Sequence, residues 1–187
     1  MTDAPTAPTL PLRTERLVLR AAVPSDLSAL MGYYGDPLVV RHLLHDVLDE
    51  ALVAEKLKRF QANTAPSGVG DALSLVIERD GGVIGDVMLR FTFGDPPSVA
   101  EVGWVLAPAS AGQGYATEAA RAVIELGFRH FGLHRIFAQL DARNTSSGRL
   151  CERLGMTKEA HFRRDFWSKG EWTDSLHYGL LREEWAG

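Results

Sequence analysis

Residues 99–128 read VAEVGWVLAPASAGQGYATEAARAVIELGF, and this stretch decides the fold. The apolar run 102–106 leads into a turn that contains Gly112 and Gly114, and a long amphipathic segment follows at once. Glycine lets a backbone turn sharply and leaves no side chain in the way of a ligand. The first turn of a helix has unpaired N–H groups and the positive end of the helix dipole. The stretch therefore predicts a strand, a glycine turn and a helix N-terminus that together bind a phosphate group.

Composition indicates a single globular domain. The chain has 187 residues, of which 45% are hydrophobic and 24% are charged, enough to bury a substantial core. We expect a flexible lead-in over residues 1–11 and one domain over residues 12–187. The absence of a long apolar run or a secretory leader argues against a membrane partner and for a cytoplasmic location. The single cysteine, Cys151, excludes an internal disulfide.

Charge and histidine spacing argue against nucleic-acid and metal ligands. The net charge is −4 and no basic run is present, so we expect no nucleic-acid partner. His42 and His45 lie three residues apart, but no carboxylate motif accompanies them. We therefore expect no metal site.

Hydrophobic periodicity and turn residues give the element order β-ααα-βββ-α-β-α-ββ. The predicted strands cover residues 15–22, 72–79, 83–92, 99–106, 134–140, 159–167 and 172–181. The predicted helices begin near residues 24, 37, 48, 115 and 145. Asp80, Gly81 and Gly82 form a hairpin signal, so the three central strands are expected to be antiparallel. The fold class is α/β of the mixed α+β kind, with a mostly antiparallel sheet of about seven strands flanked by helices.

The glycine turn alone allows two readings besides an acyl-CoA site. Gly112 and Gly114 can simply shape a tight turn. Alternatively, Gly112-x-Gly114-x-x-Thr117 approximates the dinucleotide-binding pattern, with Asp141 at the end of the following strand. Thr117 is larger than the glycine or alanine needed there, and the preceding hairpins do not build a parallel sheet. The dinucleotide reading is therefore a remote alternative.

The stretch Ala111-Gly112-Gln113-Gly114-Tyr115-Ala116 resembles the acyl-CoA site of the GNAT acetyltransferase superfamily, whose signature is Arg/Gln-x-x-Gly-x-Gly/Ala. Ala111 departs from the signature at its first position. The resemblance covers about residues 12–185 and is closest to the RimJ/RimL-type branch. The segments that carry this branch likeness are 12–20, 101–104, 114–119, 144–147, 150–156 and the closing hairpin 162–180.

The resemblance implies transfer of an acetyl group from acetyl-CoA to a primary amine by direct attack in a ternary complex. The acceptor would be a protein N-terminus or a small-molecule amine. The amide-rich pantetheine arm would pair with an exposed strand edge, in a gap before the next parallel strand. The implied cofactor-binding residues are Val105, Leu106, Gly112, Gln113, Gly114, Tyr115, Ala116, Thr117 and Asn144. For Asn144, the alternative role is that of a helix cap.

Two residues are candidates for catalysis. Glu101 is a candidate base, directly or through water; alternatively it pairs with a neighbouring arginine. A backbone N–H near Val105 could stabilise the oxyanion. Cys151 stands where many GNAT enzymes have a tyrosine that protonates the leaving thiolate. We expect Ser147, one turn earlier, to replace it; alternatively Ser147 only caps the helix, and Cys151 is a small buried residue.

The acceptor pocket is expected to involve the early helices, the loop before Ala72 and the last hairpin. Its candidate residues are Tyr33, Tyr34, His42, Trp104, Phe166 and Trp167, each of which could equally belong to the core. A non-catalytic acyl-CoA-binding module is the rival function. A homodimer is a further expectation.

Overall fold

A computed structural model describes residues 7–94 and 98–186. The strands are β1 (Leu12–Arg13), β2 (Val18–Arg20), β3 (Ala72–Arg79), β4 (Gly82–Phe93), β5 (Val99–Leu106), β6 (Arg135–Asp141), β7 (Thr157–Ser168) and β8 (Glu171–Leu181). The α-helices are α1 (Leu27–Tyr34), α2 (Pro37–Val40), α3 (Glu50–Ala62), α4 (Tyr115–Arg129) and α5 (Thr145–Arg153). The element order that the sequence predicts is confirmed.

The eight described strands form one sheet in the order β1-β2-β3-β4-β5-β6-β8-β7. Among the described strands, β5 and β6 are the one parallel pair, and all other neighbours are antiparallel. The mixed, mostly antiparallel sheet is confirmed, and it contradicts the dinucleotide alternative, which needs parallel strands. The first predicted strand, residues 15–22, is shorter in the structure, where it is β2 alone. The structure adds β1 before it, and Thr14 N–H donates to Leu17 O (3.0 Å) in the turn between the two strands.

The pairing of β5 with β6 is short, and this creates the gap expected from the sequence. The two strands pair at Val99↔Arg135, Ala100↔Ile136 and Glu101↔Phe137. Beyond Glu101 the ladder stops, although β5 continues to Leu106 and β6 to Asp141. Beyond this point, the backbone N–H and C=O groups on the facing edges of β5 and β6 therefore do not hydrogen-bond to the opposite strand.

Helices cover both faces of the sheet and form two cores. On one face, α4 and α5 pack on the sheet through a cluster that includes Ile124, Phe128 and Leu150. On the other face, α1, α2 and α3 enclose a smaller cluster that includes Tyr34 and Val53. The buried residues of α4 follow helical spacing; they are Tyr115, Ala119, Ala120, Val123, Ile124, Gly127 and Phe128. Each face of β5 thus belongs to a different core.

Part of the predicted flexible lead-in, residues 1–6, lies outside the described residues. In the remainder, Pro8 is buried and Leu10 packs against the larger core. Among the described residues, no helix combines the length and the apolar character needed to cross a membrane.

Candidate active site

The glycine turn at the start of α4 has an open anion-binding geometry. Gly112 and Gly114 have φ angles of +77° and +83°, which favour glycine over other residues. Gly114 is the N-cap, and its carbonyl accepts the first helical hydrogen bond from Glu118 N–H (3.0 Å). Residues 111–114 are exposed, so the turn that precedes the unpaired N–H groups of the first helical turn is open to solvent. We call residues 112–117 the phosphate loop.

A polar network from the N-terminal strands holds the phosphate loop. The Glu118 carboxylate accepts from the Thr14 hydroxyl (2.6 Å), the Arg16 N–H (2.9 Å) and Arg16 Nε (2.7 Å). Arg16 Nη1 also donates to the Gln113 carbonyl (3.1 Å), and its guanidinium lies 4.7 Å from the centre of the Tyr115 ring. Burial opposes ionisation, yet the hydrogen bonds from Thr14 and Arg16 hold the pKa of Glu118 below its usual range. We call these contacts the loop buttress.

A cavity of about 340 Å³ occupies the gap between β5 and β6 and opens toward the α1–α3 face. We call it the cleft. Its β5 wall includes Gly103, Trp104 and Val105, and its β6 wall is residues 138–141. The helical and hairpin wall includes Tyr34, His42, His45, Lys56, Phe60, Asn144, Ser147, Phe166 and Thr173.

The candidate catalytic residues reach the cleft. Glu101 lines it, and its carboxylate accepts a hydrogen bond from Arg90 Nη2. Ser147 lines it from the first turn of α5. Asn144 also lines it, while its Oδ1 accepts from the Ser147 N–H (3.1 Å) and caps α5. The alternatives weighed for Glu101 and Asn144 therefore coexist, since each residue has its structural partner and also lines the cleft.

The structure divides the expected acceptor-pocket residues. His42, Trp104 and Phe166 line the cleft, as does Tyr34. Contrary to the prediction, Tyr33 does not line it, because its side chain is buried and its hydroxyl donates to Asp86 (2.9 Å).

Two other predicted residues also lie outside the cleft wall. Trp167 is more than half exposed and packs against Trp172 (ring centres 5.4 Å apart) instead of facing the cleft. Leu106 packs against the larger core.

Cys151 is fully buried in the larger core, away from the cleft lining. Burial raises the pKa of its thiol to about 12. A thiol with this pKa is not a nucleophile near neutral pH. Its environment is that of a small buried apolar residue.

The structure adds two charged residues that the sequence reasoning missed, Asp86 on β4 and Lys56 on α3. Asp86 is buried opposite Val105, and its Oδ2 accepts from the hydroxyls of Tyr33 (2.9 Å) and Tyr34 (2.8 Å). Burial raises the pKa of Asp86 to about 6, although the Lys56 charge and the two tyrosines act in the opposite direction. The one available signal was a carboxylate inside the otherwise apolar run of residues 83–89.

Lys56 extends across two aromatic rings at the same end of the cleft. Its Nζ lies 4.5 Å from the centre of the Tyr34 ring and 5.2 Å from that of Phe60. Burial lowers the pKa of Lys56, and the nearby Asp86 charge partly offsets this effect. We call Tyr34, Lys56, Phe60 and Asp86 the acceptor end of the cleft. Among the described residues, no group of three His, Cys, Asp or Glu side chains is arranged to hold a metal.

Comparison with known proteins defines the family. Residues 16–157 match the family model described as "Acetyltransferase (GNAT) domain". The chain belongs to this family and is an N-acetyltransferase. It is similar to the uncharacterized N-acetyltransferase YnaD of Bacillus subtilis, with 31% identity over 93% of this chain and 98% of that protein.

Solved structures show the same fold. A GNAT-family acetyltransferase from Bacillus anthracis superposes with a TM-score of 0.82 at 28% identity, covering 93% of this chain and 99% of that one. The ribosomal L7/L12 α-N-protein acetyltransferase RimL in complex with coenzyme A superposes with a TM-score of 0.74. Its identity is 18%, over 94% of this chain and 97% of that chain, so it supports the fold alone.

Proposed function

We propose that the protein transfers an acetyl group from acetyl-CoA to a primary amine by direct attack within a ternary complex. The observation that carries this proposal is the separation of β5 from β6 beyond Glu101, with the phosphate loop at the far end of β5. This separation leaves space for the thioester between the two strands. It also lets an amine approach from the α1–α3 face.

The described residues fit acetyl-CoA in two ways. The unpaired N–H groups of the phosphate loop suit the pyrophosphate, because the N–H donors and the positive end of the helix dipole both attract an anion at this position. The unpaired edge of β5 at residues 103–105 suits the amides of the pantetheine arm. Asn144 lines the same gap and can contact that arm. The missing arginine or glutamine at Ala111 removes one side-chain contact but leaves the backbone donors.

The proposed chemistry uses three groups of this chain. Glu101 takes a proton from the incoming ammonium, directly or through water, so that the nitrogen lone pair can attack the thioester carbon. A backbone N–H of β5 near Val105 stabilises the oxyanion that forms. As the C–S bond breaks, Ser147 gives a proton to the CoA thiolate and regains one, through water, from the nitrogen that has attacked, while the proton held by Glu101 passes to solvent.

Direct attack is favoured over an acyl-enzyme because of Cys151. Its complete burial and its raised pKa keep it a thiol, and it does not line the cleft. A covalent route needs a thiolate that reaches the thioester.

The acceptor is not fixed by the family. Among proteins of this fold, RimL acts on ribosomal L7/L12, and a Vibrio cholerae enzyme is a spermidine N-acetyltransferase solved with CoA and spermine. Membership of the RimJ/RimL-type branch, a homodimer and a cytoplasmic location stay predictions.

The test is acetyl-CoA turnover with a panel of peptides and small amines, followed by release of the free thiol. We expect thiol release that depends on one class of amine and yields the acetylated amine by mass spectrometry. Tight acetyl-CoA binding with no turnover for any amine would instead support the non-catalytic acyl-CoA-binding module.

The role assignments are tested by Glu101→Gln and Ser147→Ala. General acid–base groups contribute about a hundredfold or more, so we expect kcat to fall about a hundredfold for Glu101→Gln. Water can partly replace a serine, and we expect roughly a tenfold fall for Ser147→Ala. Acetyl-CoA affinity should stay nearly unchanged in both. Glu125→Gln, on the outer face of α4 where Glu125 pairs with Arg129 (3.0 Å), is the control. Full activity in both variants would remove these assignments.

A further inference from the structure

The charged groups that line the cleft are mostly neutralised by partners within the chain. Glu101 is paired with Arg90, and Asp141 with Arg143 (2.7 Å). Asp86 uses Oδ2 to accept two tyrosine hydroxyls. His42 and His45 add little positive charge near neutral pH, because burial lowers the pKa of each. No carboxylate among the described lining residues is therefore left without a partner.

Lys56 differs from these groups. Among the described contacts, its ammonium has ring faces beside it but no hydrogen-bond acceptor and no ion pair within 4.0 Å. Ring faces attract a cation without satisfying its three N–H donors. Lys56 is half-buried and lines the cleft, so these donors are open to water or to a ligand, and an anionic group on a ligand would form charge-assisted hydrogen bonds with the ammonium.

The position of Lys56 points to the acceptor as the source of that partner. Lys56 lies on α3, which covers the face of the sheet opposite α4 and the phosphate loop. Its neighbour Asp86 lies opposite Val105, next to the proposed oxyanion donor. The coenzyme phosphates would lie outside the cleft, at the start of α4.

We propose that Lys56 selects the acceptor by charge, binding an oxyanion, either a carboxylate or a phosphate, carried by the amine substrate. This inference rests on the proposed acetyl transfer. A second ammonium on the acceptor would be repelled by the Lys56 charge. Glu101 and Asp141 are already paired with arginines, and Asp86 is buried, accepts two tyrosine hydroxyls and has Lys56 as its neighbouring cation. The protein therefore acetylates amines that carry an anion and discriminates against polyamines, although a spermidine N-acetyltransferase shares its fold.

The experiment compares kcat/KM for acceptors of similar length that differ in the charge at the far end. The small set is γ-aminobutyrate, its amide, putrescine and aminopropyl phosphate. The peptide set is tetrapeptides whose second residue is aspartate, asparagine or lysine. We expect the anionic acceptor to exceed the cationic one by about tenfold or more, with the neutral one between them, since a charged hydrogen bond and a like-charge repulsion act together. Comparison of γ-aminobutyrate with aminopropyl phosphate distinguishes carboxylate from phosphate.

Lys56→Met keeps most of the side-chain stem and removes the charge. We expect it to abolish the preference for anions and to raise kcat/KM for putrescine, since Asp86 loses its neighbouring cation. Lys56→Arg should retain the order of preference. Lys58→Met is the matched control, because Lys58 lies on the outer side of the same helix and pairs with Glu55 (2.7 Å). Thermal unfolding of each variant checks that it is folded.

The outcomes separate this inference from the proposed function. Thiol release with no charge preference, or with a preference for putrescine and the lysine peptide, overturns the role of Lys56 alone. An unchanged order of preference in folded Lys56→Met does the same. No turnover with any acceptor, despite acetyl-CoA binding, overturns both.

Discussion

The cofactor end of the site, which is the phosphate loop, and the acceptor end of the cleft achieve ligand complementarity by different means. At the cofactor end the phosphate loop presents backbone N–H groups, and the loop buttress holds it from outside. At the acceptor end the groups are side chains on α1, α3 and β4, and they are largely buried. Ligand binding at the phosphate loop thus depends on backbone conformation, while ligand binding at the acceptor end depends on which charged side chains contact each other.

This difference determines how each end responds to substitution. A backbone site tolerates many side chains but depends on the few residues that set φ. A buried polar cluster depends on each partner, because removal of one leaves another unsatisfied. Substitutions at the cofactor end should therefore change acetyl-CoA affinity, and those at the acceptor end should change stability and acceptor choice.

The largest effect is expected for Gly114→Val. A β-branched residue at φ +83° is strained, and the loop must rearrange and withdraw its N–H donors from the phosphates. Loss of two or more charge-assisted hydrogen bonds costs about 3 kcal/mol or more, which weakens acetyl-CoA binding by a hundredfold or more. Isothermal titration calorimetry with acetyl-CoA measures it.

Gly132→Val provides the matched control for the glycine substitution. Gly132 also has a positive φ, +66°, and space around its Cα, but it lies in the turn before β6. We expect a similar loss of stability with unchanged acetyl-CoA affinity. Equal weakening of binding in both variants would show that general destabilisation, and not the phosphate loop, controls affinity.

The next effect tests the acceptor end through the pH dependence of stability. The pKa of Asp86 is raised from 3.8 to about 6 on folding, so the native state holds a proton that the unfolded chain releases. The resulting stability is full below the unfolded pKa and is lost as pH rises toward about 6. The stability advantage of wild type over Asp86→Asn should therefore shrink by up to about 3 kcal/mol over that range. Urea denaturation at a series of pH values measures it.

Asp71→Asn supplies a control of opposite sign. N–H groups of Ser67 and Gly68 donate to Asp71 and lower its pKa. Its contribution is present above the unfolded pKa and is lost as pH falls. The wild-type advantage over Asp71→Asn should grow as pH rises to the unfolded pKa of 3.8 and then stay level, whereas the advantage over Asp86→Asn shrinks between that pH and about 6. Parallel curves for the two variants would contradict the raised pKa of Asp86.

A smaller effect is expected when the loop buttress is removed. Arg16→Met breaks the contacts to Glu118 and Gln113, so the phosphate loop samples conformations that do not bind. We expect acetyl-CoA affinity to fall about tenfold, or about 1.4 kcal/mol, with kcat little changed. Arg129→Met, which breaks an exposed pair with Glu125, should leave affinity unchanged. An Arg16→Met protein that binds acetyl-CoA like wild type would show that the loop keeps its shape unaided.

The same contrast explains what the sequence could predict. The cofactor end lies within one continuous stretch, where Gly112 and Gly114 between a strand and an amphipathic helix carry a local signal. The gap beyond Glu101 followed from the family resemblance. Lys56 and Asp86 lie thirty positions apart on different elements, and no local pattern brings them together. Tyr33 and Tyr34 are adjacent aromatics on one helix, and only packing decides that Tyr34 faces the cleft while Tyr33 does not.

The smallest effect is expected for Cys151→Ala, which tests whether the Cys151 thiol takes part in the reaction. The side chain is fully buried and its raised pKa keeps it protonated, so it contributes packing. We expect a loss of roughly 1 kcal/mol in unfolding free energy from the small cavity, with kcat/KM unchanged. Intact mass spectrometry after mixing wild type with acetyl-CoA alone should show no acetyl adduct at this residue. An adduct that an added amine then removes, together with an inactive Cys151→Ala, would establish the covalent route. It would also require the Cys151 side chain to leave the larger core and reach the cleft during turnover.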